Sequence, residues 1–224
     1  VLRHKVPIVV LALAANPDLV RTLQANGALV FQDVIRNRHA VKCAEMGVDG
    51  IIAIGAGAGG HTGDLSPFAL MQEIREWWDG LLILSGCIAN GRSVLAAEVL
   101  GADLAYIGSP FLASSEANTQ AGFKQMIVDG TAADITVTNC FTGVNANFLT
   151  PSLIENGLDP KSLKRTEGAS ISIAGGGSNA KAWRDIWSAG QGIGAIKAAG
   201  PAADYIDRLA DEYAQSRATL GLDT

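Results

Sequence analysis

Three short stretches of this 224-residue chain gather the residue types that move protons or hold phosphate. The first is Gly55-Ala56-Gly57-Ala58-Gly59-Gly60-His61-Thr62-Gly63. It is longer than a turn requires, and a backbone stripped of side chains lets a flat ligand lie against it. Its one side chain able to exchange a proton near neutral pH is His61. A loop histidine elsewhere would be an exposed connector residue; inside this run it reads as a functional one. The second stretch is Ser85-Gly86-Cys87-Ile88-Ala89-Asn90-Gly91-Arg92-Ser93, leading into a helix. Glycines ahead of a helix N-terminus present backbone N–H groups and the helix dipole to an anion. The third, Ile107-Gly108-Ser109-Pro110, adds two amides and a hydroxyl. Taken singly, each glycine turn is ordinary. As the last two loops of one parallel sheet they point to a phosphorylated cofactor. Cys87 reads as a small packing side chain rather than a reactive thiol.

These stretches must be positioned by the elements before them. Five apolar segments rich in β-branched residues begin at Val6, Ala28, Gly50, Leu81 and Leu104. Each reads as a strand buried on both faces. Between them lie helical patterns: Asn16-Pro17 opens one, with Asn16 as cap and Pro17 at its first position, and Asn26-Gly27 closes it. Asn37 is expected to cap the next, Gly47 to end it, and residues 67–78 and 93–100 to form two more. Gly47-Val48-Asp49 before the third strand is echoed by Gly101-Ala102-Asp103 before the fifth. Strict strand–helix alternation predicts a parallel sheet covered by helices. Two closures are open, a doubly wound sheet or an eight-stranded barrel. The expected form is a (β/α)8 TIM barrel lacking its N-terminal strands in this chain.

The alternation stops after Ser114. Residues 116–129 read as helix, 135–138 as a short extended segment and 151–160 as a turn-rich connection. Residues 165–179, with Ala174-Gly175-Gly176-Gly177-Ser178, read as a mobile loop. A last amphipathic helix over 201–217 should bury Ile206, Leu209, Ala210 and Tyr213. The expected division is therefore residues 1–115, five βα units, and 116–224, an appended C-terminal helical element covering the site. The Trp77-Trp78 pair and Trp183 with Trp187 are assigned to helix packing.

Composition narrows the classes. The formal net charge is −5, without the basic footprint of a nucleic-acid binder. No apolar run is long enough to span a bilayer, so no membrane partner is expected. Three scattered cysteines suit neither a disulfide framework nor zinc, and no His/Asp/Glu cluster has metal spacing. A cytoplasmic setting is the default. There is no G-x-x-x-x-G-K-[ST] loop. The G-x-G-x-x-G at Gly55 to Gly60 lacks the acidic residue that would hold a ribose, which argues against a dinucleotide site.

The order of these motifs resembles the nitronate monooxygenase family, formerly the 2-nitropropane dioxygenases. Its marks are Gly47-Val48-Asp49-Gly50-Ile51-Ile52-Ala53 running into Ala58-Gly59-Gly60-His61-Thr62-Gly63, then Ser85-Gly86-Cys87-Ile88-Ala89-Asn90-Gly91. Gly101-Ala102-Asp103 and Tyr106-Ile107-Gly108-Ser109-Pro110-Phe111 follow, with a tail at Asn145-Ala146-Asn147-Phe148-Leu149 and Ala189-Gly190-Gln191. The resemblance implies an FMN-dependent flavoprotein oxidising alkyl nitronates, or nitroalkanes, with O2 to a carbonyl compound and nitrite. It implies that Gly59 and Gly60 pass beside the flavin. It implies that Gly86, Cys87, Gly108 and Ser109 hold its phosphate, that Ile107 is a further cofactor-binding residue, and that His61 is catalytic. The partners implied are a small nitro compound and O2, with a homo-oligomer admitted. Ile54 stands where many members have a polar residue, Cys87 where many have a second glycine, and Asp33 where some have lysine. A flavin-dependent enoyl-thioester reductase on the same barrel is the nearest rival, and a flavin-binding protein without turnover the next.

Overall fold

The computed structural model describes residues 1–12, 16–163 and 181–222. In chain order its elements are β1 (Ile8–Leu11), α1 (Pro17–Ala25), β2 (Leu29–Val34), α2 (Asn37–Glu45), β3 (Gly50–Ile54), β4 (Gly60–His61), α3 (Pro67–Arg75), β5 (Leu81–Ser85), α4 (Gly91–Val99) and β6 (Leu104–Tyr106). Next come α5 (Ser109–Leu112), α6 (Ala121–Asp129), β7 (Ile135–Thr138), β8 (Ala146–Leu149), α7 (Thr150–Glu155) and α8 (Ala202–Thr219). The chain separates into two compact units. The first holds Val1–Ala56, Gly63–Ser85 and Ala96–Tyr106; the second holds Gly57–Thr62, Gly86–Leu95 and Ile107–Thr224. The expected break between residues 115 and 116 falls inside the second unit.

The first unit is an α/β fold around a five-stranded parallel sheet of order β1-β2-β3-β5-β6. All five strands expected from the apolar runs are present. The order never reverses, as a doubly wound sheet must. Right-handed crossovers therefore set the intervening helices on one face. Residues of the other face follow from the register: Ile8 pairs with Leu29, Val10 with Phe31, and Ile83 with Leu104. On it Ile8, Val10, Leu29, Leu104 and Tyr106 are exposed apolar side chains.

The repeated Gly-x-Asp has a physical reason. Asp49 Oδ2 accepts the Val30 N–H at 2.7 Å, and Asp103 Oδ2 accepts the Leu82 N–H at 2.8 Å. Each aspartate also donates its own N–H to the carbonyl of the same partner residue, both at 2.8 Å. The motif clips the start of one strand onto its neighbour. Arg75 completes the second clip, reaching Asp103 at 2.8 Å and the Gly101 carbonyl at 2.6 Å. The α1 cap is as expected: Asn16 Oδ1 accepts the Leu19 N–H at 2.8 Å with Pro17 at the first helical position. The α2 cap is not. Arg36 occupies it, and Asn37 instead accepts the Trp77 indole N–H at 2.8 Å.

The second unit corrects the expected helical element. It contains a three-stranded antiparallel sheet of order β4-β8-β7. Within it Gly60 faces Asn147, and His61 and Thr138 both face Ala146. Two-residue β4 has no periodicity of its own, so the sequence hid it inside a glycine loop. Helix α6 begins five residues later than residue 116, at Ala121. The connection expected over 151–160 contains α7, which starts with Pro151 in its first turn. One core joins Ala89, Ala113, Ile127, Leu149, Ala189, Ile193 and Ile196; another joins Ala146, Phe148, Leu153 and Ile186. On α8 the expected inward face holds in part: Leu209 and Tyr213 are half-buried, whereas Ile206 and Ala210 are exposed. The Tyr205 hydroxyl instead donates to the Ala89 carbonyl at 3.0 Å, and Glu212 accepts the Gly91 N–H at 2.8 Å. The glycine-rich 165–179 segment lies outside the described residues.

Candidate active site

The second unit brings the three chemistry-bearing stretches together. A Cβ on Gly57 would come within 2.3 Å of Cys87 Sγ, and one on Gly59 within 3.4 Å of Ser109 Oγ. The histidine loop, the Gly86-Cys87 turn and the Gly108-Ser109 turn are thus neighbours. The segment Ala189-Gly190-Gln191 binds them: Gly190 donates its N–H to Ser109 Oγ at 2.8 Å, and Gln191 donates to the Gly57 carbonyl at 2.8 Å. The glycines divide by what they face. Gly59 lies against backbone, its would-be Cβ 2.9 Å from Gly190 N, so chain packing alone requires it. Gly60 and Gly108 open on space among the described residues, with no non-adjacent atom of these within 4 Å of a built Cβ.

His61 is exposed and sits on β4, held on both sides. Before it, Gly60 donates its N–H to Ser188 Oγ at 2.7 Å, and that hydroxyl donates to the Asn147 carbonyl. After it, Thr62 donates its N–H to the Asn145 carbonyl at 2.9 Å. The Asn147 side chain, fully buried, donates to the Ala58 carbonyl at 2.7 Å. Its Oδ1 has no hydrogen-bond partner among the described residues. Asn147 and Ser188 therefore fix the backbone that carries the histidine, a role their spacing of 41 residues gave no sign of.

Trp183 is likewise outside the expectation. It is not on a helix; its ring meets His61 edge-to-face, centroids 5.5 Å apart at 84°. Trp187 packs as expected of a structural residue, stacked on Phe123 at 5.1 Å.

The turn after β5 has an unusual backbone. Gly86 and Cys87 have φ of 124° and 61°. A left-handed Cys87 is a conformation that L-residues rarely adopt. Desolvation by neighbouring chain pushes the Cys87 thiol above its usual range although the residue as a whole is exposed. Asn90 Oδ1 accepts the Ser93 N–H at 2.8 Å and so starts α4. No group of three or more metal-ligating side chains occurs among the described residues, and no helix there is long and apolar enough to cross a membrane.

In the first unit one carboxyl stands out. Burial raises Asp33 to about 6, and its Oδ1 has no hydrogen-bond partner among the described residues. It lies on β2 in register with Ile52.

The chain is similar to several known proteins. A Mycobacterium tuberculosis protein named as a monooxygenase is 34% identical over 148 residues, 65% of this chain and 40% of that protein. The nitronate monooxygenase of Paraburkholderia phytofirmans is 27% identical over 217 residues, 90% of this chain and 59% of its own length. The chain thus spans about half the length of these relatives. A crystal structure of nitroalkane oxidase from Streptomyces ansochromogenes, 27% identical, superposes with a TM-score of 0.77 and covers 98% of this chain and 67% of that one. Residues 1–212 match the nitronate monooxygenase family as a whole. The chain belongs to the nitronate monooxygenase family.

Proposed function

We propose that the protein containing this chain uses FMN and O2 to oxidise an alkyl nitronate, or its parent nitroalkane, to a carbonyl compound and nitrite. The observation that carries the reading is the convergence of the His61 loop with the Gly86-Cys87 and Gly108-Ser109 turns in one compact unit.

The residues present fit FMN. Gly108 leaves the room that a phosphate needs, and its N–H, with those of Gly86, Cys87 and Ser109, would hold the phosphate oxygens. Ile107, directly ahead of that turn, would be a further contact to the cofactor. Of the two glycines read as flavin neighbours, Gly60 has the open face, while Gly59 holds Gly190 in place. When bound, the flavin supplies the electron acceptor and the O2 chemistry. The protein's share is positional and acid–base. Anchored through Gly60 and Thr62, His61 takes the carbon-bound proton of a neutral nitroalkane, or orients the anionic nitro group of a substrate that has already lost it. A cytoplasmic location suits three cysteines that form no disulfide.

The five-stranded sheet is in this reading an arc of a (β/α)8 barrel. Its singly wound order and exposed apolar face are what an arc shows. The relatives' greater length leaves room for the remaining strands.

The test is anaerobic mixing of the purified yellow protein with ethylnitronate and, separately, NADH. The reading predicts loss of flavin absorbance with the nitronate alone, then nitrite and aldehyde on admitting air. Reduction by NADH and not by the nitronate would replace it with the enoyl-thioester reductase. No response to either would leave a flavin-binding protein without turnover.

A further inference from the structure

Trp183 has a left-handed backbone, φ 70°, while its indole is 45% exposed. A bulky residue in that region is an outlier, and such strain persists only where the surroundings over-determine it. Here they do. Trp183 donates its N–H to the Ile186 carbonyl at 3.0 Å, Asp185 donates its own to the Lys181 carbonyl at 2.9 Å, and Asp185 Oδ2 accepts the Lys181 N–H at 2.8 Å. Ile186, which closes the turn, is fully buried.

The turn delivers the ring to one place. The indole rests on Phe148, centroids 5.1 Å apart, and Phe148 rests on Phe141 at 5.0 Å. Phe148 is fully buried, so the stack has a rigid base and a half-exposed outer ring. That outer ring meets His61. An apolar surface so close to a polar, proton-exchanging side chain is worth its strain if an apolar body is to lie there.

We propose that Trp183 is a specificity-determining residue: its exposed indole is the wall against which the hydrocarbon part of the substrate packs while the reacting carbon faces His61. The class selected is a nitro compound with a straight alkyl body of several carbons, in preference to the shortest members. The inference rests on the nitronate reading, and its test separates the two.

The variant of choice is Trp183→Gly, which removes the ring and suits the left-handed backbone; Trp183→Asn, also tolerant of that region, is the second. Two quantities are measured on the flavin-loaded full-length protein. One is kcat/KM for ethyl-, butyl- and hexylnitronate. The other is Kd for straight-chain carboxylates of the same lengths, planar anions that do not react. The wild type is expected to gain about two- to fourfold per methylene in both series. In either variant the gradient flattens, the hexyl compound loses about tenfold or more, and the ethyl compound changes by less than about twofold. A loss confined to the longer bodies distinguishes a wall from a packing residue, whose removal would lower activity on every chain length alike. A carboxylate gradient that vanishes in the variants, without any nitronate turnover, keeps the wall and removes the nitronate reading. A gradient of equal slope in wild type and variants overturns the wall.

Discussion

In the parallel sheet every neighbour of a strand is the next βα unit, and one clip, Asp49 to Val30 and Asp103 to Leu82, is used twice. In the second unit the bonds that hold His61 reach much further along the chain. Ser188 lies 128 residues from Gly60, and Asn147 lies 89 from Ala58. The sheet is held by repetition of a local device. The site is held by single long-range contacts, several made by glycines where no side chain fits. Substitutions should therefore act in graded fashion in the first unit and all-or-none in the second.

The sharpest way to break this comparison is to fill the space left for a ligand. Gly108 has ordinary backbone and open room, so Gly108→Asp should fold normally. It should nevertheless purify without flavin, because a carboxylate would sit where the phosphate is proposed to lie. Normal flavin content, read from the visible spectrum, would contradict the cradle.

Next comes a glycine that faces protein. A Cβ on Gly91 would stand 2.1 Å from Tyr213 N and 2.5 Å from the Leu209 carbonyl, both main-chain atoms of α8. Backbone cannot swing aside as a side chain can, so Gly91→Ala should destabilise by about 3 kcal/mol. Urea unfolding followed by circular dichroism measures it, and a change below about 1 kcal/mol would show that α8 docks loosely.

Asp33 offers a smaller, pH-dependent effect in the first unit. Burial raises its folded value from 3.8 to about 6. The unfolded carboxyl ionises first, so stability is full below the unfolded value and falls as pH rises through about 6. Discounted for the solvent that still reaches the group, the loss is about 1–2 kcal/mol. Asp33→Asn should be the more stable protein at neutral pH and should flatten the profile between the two values. Parallel stability–pH curves for the two proteins would refute this.

The smallest effect should come from Gly27, which ends α1 at φ 85° with nothing within 4 Å of a built Cβ. Only backbone strain opposes Gly27→Ala, about 1 kcal/mol. A melting curve compared with that of Gly91→Ala contrasts strain alone with strain against backbone.

The same contrast explains what the sequence made legible. Apolar runs, Asn16-Pro17 and the Gly-x-Asp echo report neighbours one unit away, and they located all five parallel strands. Glycine turns marked the three stretches that meet, because a glycine's need for space or for left-handed φ is local. What stayed hidden was set by partners far along the chain. Two-residue β4 exists only because β8 pairs with it. Trp183 carries no helical or strand period that would separate it from Trp187, and only the turn closed by Ile186 turns its ring to His61. Asn147 and Ser188 act through backbone atoms, which residue type does not reveal. On α8 Leu209 and Tyr213 were legible from periodicity, but Ile206 was not, because polar-tipped Tyr205 and Glu212 dock in its stead.

The central claim is that His61 acts as a base on a substrate's carbon-bound proton, and one comparison tests it most directly. A neutral nitroalkane must lose that proton, whereas a preformed nitronate already has. His61→Asn keeps a polar group on β4 and removes the basicity. The measurement is kcat/KM of wild type and His61→Asn on both substrate forms, with nitrite quantified and flavin content checked. The account predicts unchanged flavin, a loss of about 10²–10⁴-fold on the neutral form, and a much smaller loss on the nitronate. Equal losses on the two forms, or none on either, would contradict it.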